Sequence, residues 1–105
     1  MTDTKTPAQA AAEEFISVMD AKLDAQAWRY LSAQTLRDRL LWHKQAAIGS
    51  LDWFTGHQAA VVRSGSKPSP SYAAAIEKTQ GFLTEVDIHL AALDAEDNKE
   101  IPNGR

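Results

Sequence analysis

The sequence predicts an all-α protein, an antiparallel bundle of three helices or, if one helix is interrupted, four. Apolar residues recur at alternating steps of three and four over long stretches, as one buried face of an α-helix requires. Capping patterns at Thr6 and Ser69 precede two of these stretches. Valine and isoleucine are few, and no alternating run or hairpin dipeptide indicates a β-strand.

The first helix is predicted to begin at Pro7, a residue whose missing N–H is not needed in the first turn. The Thr6 hydroxyl can accept the backbone N–H of Gln9, and the Gln9 side chain can bond back to Thr6, as in a capping box. The apolar stripe then continues to residue 31. Aspartates at 20 and 24 mark a place where this helix is expected to kink or restart.

A second helix is predicted from residue 36, because the apolar phase slips between 31 and 36, where Ser32 and Thr35 are both suitable N-caps. Gly49 and Gly56 lie inside its pattern, and each costs about 1 kcal/mol relative to alanine in a helix interior. The sequence therefore leaves open whether this helix is continuous or restarts near the glycines. One apolar face of this helix is formed by Leu36, Leu40, His43, Ala47, Ser50, Phe54, His57 and Val61.

A loop over 64–69 contains prolines and glycine and separates the second helix from a third. Ser69 is the predicted N-cap of the third helix and Pro70 its first residue. The apolar residues of this helix keep alternating steps of four and three for three heptads. They are Tyr72, Ile76, Thr79, Leu83, Val86, Leu90 and Leu93.

With 105 residues, the chain has the length of one domain. We expect a single bundle over 7–94, a disordered N-terminus over 1–6 and a disordered acidic tail over 95–105. The first residues lack the basic start and apolar run of a signal peptide, and no apolar stretch approaches the roughly 20 residues that span a bilayer. The sequence thus predicts a cytoplasmic protein that has no membrane partner.

Composition and motifs favour binding over catalysis. The absence of cysteine excludes disulfide scaffolds, thiolate zinc sites and cysteine nucleophiles. Eleven basic against fourteen acidic residues give a formal charge of −3, which argues against a strongly basic protein of the kind that binds nucleic acid. The sequence holds no glycine-rich phosphate loop and no hydrolase or zinc-protease motif. We expect a protein that is not an enzyme and needs no cofactor.

The second helix carries more apolar surface than one face of a small bundle uses. Five large side chains lie off its main stripe: Leu41, Trp42, Ile48, Trp53 and Val62. Burying each is worth roughly 1.5–3 kcal/mol. Either a bend or a short fourth helix buries them, or they form a second face that a homodimer or another protein covers. We favour the second interpretation.

The main functional hypothesis is accordingly a small regulator, adaptor or inhibitor that binds a larger protein or a second copy of itself. Tryptophan and arginine are the residues that most often anchor protein contacts. The predicted partner-binding residues are Arg37, Arg39, Trp42 and Trp53.

Two alternatives come from other classes of function. Over 25–51, four basic residues and one acidic residue give a local charge of +3, and tryptophans are interleaved, a combination that can bind nucleic acid. The candidate phosphate-binding residues are Arg29, Arg37, Arg39 and Lys44. The simpler interpretation is a solvated helix face whose arginine stems cover tryptophan rings.

The second alternative is a metal-binding or ligand-binding bundle. Pairing residues across the predicted antiparallel turns brings one aspartate and two histidines to the same level. Two histidines and a carboxylate are a common set of metal ligands. The candidate ligands are Asp24, His43 and His89.

Overall fold

A computed structural model describes residues 5–100 of the chain, with side chains described as far as residue 97. These residues form four α-helices and no strand, which confirms the predicted all-α helical bundle. Four, the larger helix number left open by the sequence, is the number found. The helices are α1 (Pro7–Asp20), α2 (Ala25–Leu31), α3 (Leu36–Arg63) and α4 (Pro70–Glu100).

Local capping sets the first two helices. The Thr6 hydroxyl accepts the N–H of Gln9 at 3.1 Å, and the Gln9 side chain accepts the N–H of Thr6 at 3.1 Å, which confirms the capping box. Helix α1 ends at Asp20, and the Asp24 carboxylate accepts the N–H of Ala27 at 2.8 Å. The chain therefore restarts at 20–24 instead of continuing as one long helix.

Helix α3 is continuous for 28 residues, through both of its glycines. Thr35 caps it, because the Thr35 hydroxyl accepts the N–H of Asp38 at 3.1 Å. A Cβ atom added at Gly49 or Gly56 would meet nothing within 4 Å. The glycines therefore do not admit a neighbouring helix from the described part of the chain.

The predicted loop and helix start at 64–70 are confirmed. Gly65 has a φ of 87°, a left-handed backbone conformation that residues other than glycine rarely adopt. The Ser69 hydroxyl lies 3.3 Å from the N–H of Ser71, at the start of α4.

Helix α4 continues to Glu100, whereas the sequence predicted disorder from residue 95, so that expectation is corrected over 95–100. The physical reason is a set of contacts that are remote in sequence. The Glu96 carboxylate accepts the Thr6 hydroxyl and the N–H of Ala8, and Asp97 pairs with Arg37. Lys5 and Thr6 also belong to the stretch predicted to be disordered, 1–6, but the structure describes both, and Thr6 caps α1. The rest of the predicted disorder, over 1–4 and 101–105, lies outside the described residues.

Within the predicted single domain, the chain divides into two compact units. Unit 1 is the described part of Met1–His43 and Asp87–Arg105. It holds α1, α2, the start of α3 and the end of α4. Its buried apolar residues are Ala12, Ile16, Leu31, Leu40 and Leu93.

Side-chain contacts set the helix directions within unit 1. Thr6 meets Glu96, and the Phe15 and His89 rings stack at 4.7 Å, so α1 runs antiparallel to the end of α4.

Unit 2, Lys44–Val86, is a helical hairpin made of the rest of α3, the 64–69 loop and the first part of α4. The rings of Phe54 and Tyr72 meet across the hairpin at 6.3 Å. All residues over 44–85 are described, and none of them is buried; Val86 is the buried residue of this unit. The hairpin therefore has almost no core of its own.

None of the helices in the described part of the chain combines the length with the apolar character that crossing a membrane demands.

Candidate interaction surface

An exposed stripe of α3 in unit 2 is the leading candidate surface; we call it the Trp53 stripe. Its members recur at alternating steps of three and four, so they share one helix face. All are exposed: Ala46, Gly49, Trp53, Gly56 and Ala60. The residues of α3 that turn toward α4 are partly buried and lie on the other side of the helix; Phe54 is an example.

Trp53 is the large side chain of the stripe, and 52% of its surface is exposed. The His57 ring stacks on the indole at 3.8 Å between centroids, and the Phe54 ring meets its edge at 5.2 Å. His57 Nδ1 donates to the Trp53 carbonyl at 2.8 Å, since a carbonyl oxygen can only accept. The indole is thus held by two neighbouring rings while about half of the residue's surface stays exposed.

The other predicted indole lies in unit 1. Trp42 is 37% exposed, and it meets the edge of the His43 ring at 5.1 Å. Leu41 beside it is also exposed. Neither predicted indole is sealed inside the described chain, so the excess apolar surface predicted for the second helix is present.

Arg37, a predicted contact residue, is paired with acidic residues of its own chain. Its guanidinium forms ion pairs with Asp94 and Asp97, the latter at 3.0 Å. The hydrogen bond that Arg37 donates to the Asp94 carboxylate is the chief reason why the pKa of Arg37 is raised above its ordinary value. The guanidinium stays charged at neutral pH, but two carboxylates of the same chain already balance its charge.

Arg39 is not on the surface that the sequence predicted, because only 13% of its side chain is exposed. Its guanidinium pairs with Asp20, lies 4.0 Å from Glu13 and sits over the Trp28 ring at 5.4 Å. His43 Nε2 lies 2.8 Å from the other Asp20 oxygen. We call Asp20, Arg39 and His43 the buried ionic cluster; it joins α1 to α3 within unit 1.

An open cavity of about 440 Å³ lies beside this cluster, where the end of α1 meets α2 and α3. Its walls are mostly apolar. It is lined by Ser17, Asp20, Ala21, Leu23, Ala25, Trp28 and Arg39. The Arg39 Nε is buried and has no hydrogen-bond partner, but its guanidinium keeps the attraction of the Trp28 ring.

The structure weakens the nucleic-acid alternative. Of its four basic residues, Arg37 and Arg39 already pair with carboxylates of this chain. Arg29 is exposed on α2, and Lys44 is half-buried in unit 2. Two of the four predicted phosphate contacts would have to replace existing ion pairs.

The three predicted metal ligands do not come together. Asp24 caps α2, His43 bonds to Asp20, and His89 stacks on Phe15. No group of three histidine or acidic residues in the described part of the chain could hold a metal ion. The predicted pairing was wrong by one helical turn: the acid that meets His43 is Asp20, and Arg39 occupies its second oxygen.

Sequence reasoning missed the buried ionic cluster, although the sequence holds one signal for it. Ala12, Ile16 and Asp20 follow each other at steps of four, so the third lies on the same buried face as the first two. A carboxylate on a buried face requires a cationic partner.

No family model, curated protein or solved structure matches this chain.

Proposed function

We propose that this chain is a non-enzymatic, cytoplasmic protein–protein interaction module of the regulator, adaptor or inhibitor type, and that it works as a homodimer. The contact surface is the Trp53 stripe of unit 2. One observation carries the proposal: the hairpin over 44–85 buries no side chain fully, while Trp53 is half exposed.

The physical reason is that helices gain most of their stability from packing an apolar face. A tryptophan buries about 150–250 Å² when it is enclosed, so the half-exposed Trp53 has roughly 100 Å² left to bury. At about 25 cal/mol per Å², each indole contributes about 2.5 kcal/mol to an interface that covers it. Two copies contribute about 5 kcal/mol from their indoles alone.

A second copy fits this surface because the surface is complementary to itself. In a two-fold symmetric interface the same patch serves both partners, so one patch must supply both the projecting group and the recess. Trp53 projects from the stripe. Gly49 and Gly56, one turn away on either side, leave open space where side chains would otherwise stand.

Charge supports a protein partner over nucleic acid. The five members of the Trp53 stripe are uncharged, and burying uncharged residues carries no cost of removing a charge from water. The basic residues that a nucleic acid would need lie outside the stripe, and two of them are paired already.

Sedimentation equilibrium of the purified chain tests the proposal, with Trp53→Ala as the test variant. Val62→Ala is the matched control, since Val62 is exposed on the same helix of unit 2 but lies off the stripe. We expect a dimer whose dissociation constant rises at least a hundredfold in Trp53→Ala, at about 1.4 kcal/mol per factor of ten. Val62→Ala should dimerise like the original chain.

A chain that stays monomeric up to about 1 mM, where association is worth only about 4 kcal/mol, would overturn the proposal. So would a dimer that both variants weaken equally. Tight binding of single-stranded DNA with a steep dependence on salt would replace the proposal with the nucleic-acid alternative.

A further inference from the structure

We infer that the cavity of about 440 Å³ beside the buried ionic cluster binds a small, flat, uncharged molecule: an aromatic ring that carries an amide, in which a carbonyl oxygen lies next to an N–H. The residues that line this cavity all belong to unit 1, whereas the Trp53 stripe belongs to unit 2. Such a ligand would bind whether or not the chain forms a dimer.

The size and the walls of the cavity fit a small molecule. Ligand pockets in proteins usually enclose about 300–1,000 Å³ and combine mostly apolar walls with a few polar groups. This cavity meets both conditions. Its apolar walls are Ala21, Leu23, Ala25 and Trp28, and its polar groups belong to Ser17, Asp20 and Arg39.

Trp28 favours an aromatic ligand. The residue lines the cavity and is 41% exposed, so a molecule in the cavity can contact the indole. Aromatic rings attract one another in offset or edge-to-face contact, beyond what the burial of apolar surface alone contributes.

Arg39 supplies hydrogen-bond donors that the chain itself leaves partly unused. Its Nη2 pairs with Asp20, whereas Nη1 lies 4.0 Å from Oε2 of Glu13, which is longer than a hydrogen bond. Nε is buried and has no partner within the described part of the chain. Since a charged donor without an acceptor is unfavourable, a ligand that brings an acceptor oxygen stabilises the guanidinium.

The guanidinium is also held in place before a ligand arrives. Asp20, which pairs with it, is buried and lies 2.8 Å from His43 Nε2 through its other oxygen. Trp28 lies against the same guanidinium, 5.4 Å from ring centroid to Cζ. A donor that is already fixed loses little conformational freedom when it binds.

Ser17 supplies the second hydrogen bond. Its hydroxyl donates to the Glu14 carbonyl at 2.8 Å, which uses its only hydrogen, so the oxygen is left to accept. Ser17 lies three residues before Asp20, on the same face of α1. A ligand that accepts from Arg39 and donates to Ser17 therefore needs a carbonyl next to an N–H, which is what an amide offers.

Charge favours an uncharged ligand. The Arg39 guanidinium already has the Asp20 carboxylate as its partner and the Glu13 carboxylate nearby. An anionic ligand would bring a third negative charge to this one cation, and a cationic ligand would meet the guanidinium itself. Like charges placed side by side weaken binding, whereas a neutral amide avoids both conflicts.

Titration with indole-3-carboxamide tests the site, with indole-3-carboxylate as a probe of the same shape that differs in charge. The chain has three tryptophans, so nitrogen–proton correlation NMR shows three indole signals, and Trp28→Phe identifies that of Trp28. We expect the Trp28 signal to shift in a saturable way with a Kd below about 1 mM for the amide. The carboxylate should bind at least tenfold more weakly.

Two substitutions of exposed alanines test the location. Ala25→Leu extends a side chain into the cavity and should weaken binding at least tenfold, whereas Ala11→Leu, on α1 but not among the residues that line the cavity, should leave the affinity unchanged. Ser17→Ala removes the predicted acceptor and should weaken the amide about fivefold.

Three results would each overturn the inference: no saturable shift of the Trp28 signal up to about 10 mM amide, equal affinities for amide and carboxylate, or equal affinities in Ala25→Leu and Ala11→Leu. None of them would touch the proposed function, because the sedimentation of the chain is measured without any ligand.

Discussion

Asp20→Asn is the change that should most disturb unit 1. The Asp20 side chain is 7% exposed, and its two oxygens bond to the Arg39 guanidinium and to His43 Nε2. Asparagine keeps the size of the side chain but loses the charge and one acceptor. Removing one partner of a buried ion pair costs about 3–5 kcal/mol, because a charge stays buried without compensation. Arg39 keeps Glu13 at 4.0 Å, so we expect a loss of about 2–3 kcal/mol.

Urea unfolding followed by circular dichroism measures this loss. The control is Asp94→Asn, which removes a carboxylate from Arg37 where the aspartate side chain is 57% exposed. An exposed pair contributes about 0–1 kcal/mol, so the control should stay within about 1 kcal/mol of the original chain. Both variants are measured at one protein concentration, since a dimer adds to the apparent stability by mass action.

At a slope of about 1–2 kcal/mol per molar urea, the midpoint of Asp20→Asn should fall by about 1–3 M. If the two variants unfold at the same midpoint, the buried ionic cluster is no more important than a surface pair, and the argument from burial is refuted.

Three further changes test single contacts by the same unfolding assay. Thr6→Ala should cost about 1–2 kcal/mol, because it removes both the cap of α1 and the hydroxyl that Glu96 accepts. Asp24→Ala should cost about 1 kcal/mol by removing the cap of α2, and amide exchange in that helix should quicken while α4 stays protected. Trp28→Leu should cost about 1 kcal/mol by removing the aromatic face next to Arg39. An unchanged free energy of unfolding would show that the ring does not stabilise the Arg39 guanidinium.

Local chemistry made the starts of the helices predictable. Thr6, Thr35 and Ser69 each bond to a backbone N–H within three residues, so both partners of each bond belong to one short sequence motif. The same holds for the restart after Asp24. The excess of apolar surface on α3 was also visible, because helical periodicity alone assigns residues to faces.

The contacts that the sequence hid are those between distant residues. Thr6 and Glu96 are 90 positions apart, and their bond orders a stretch that composition alone assigns to a disordered tail. Arg39 was misplaced for a related reason. Periodicity places Arg39 beside the apolar stripe of α3. Only the packing of α3 against α1 shows that the Asp20 carboxylate lies next to it. An error of one turn in that pairing was enough to choose Asp24 instead.

The thin interior of the hairpin has a kinetic consequence. Segments with few enclosed side chains open locally at a small fraction of the free energy of global unfolding. Amide hydrogens over 44–85 should therefore exchange, and proteases should cut, well before the α1 segment around Ile16 responds. Diluting the protein should widen that difference, because the hairpin of a monomer lacks the partner copy that would otherwise slow its opening.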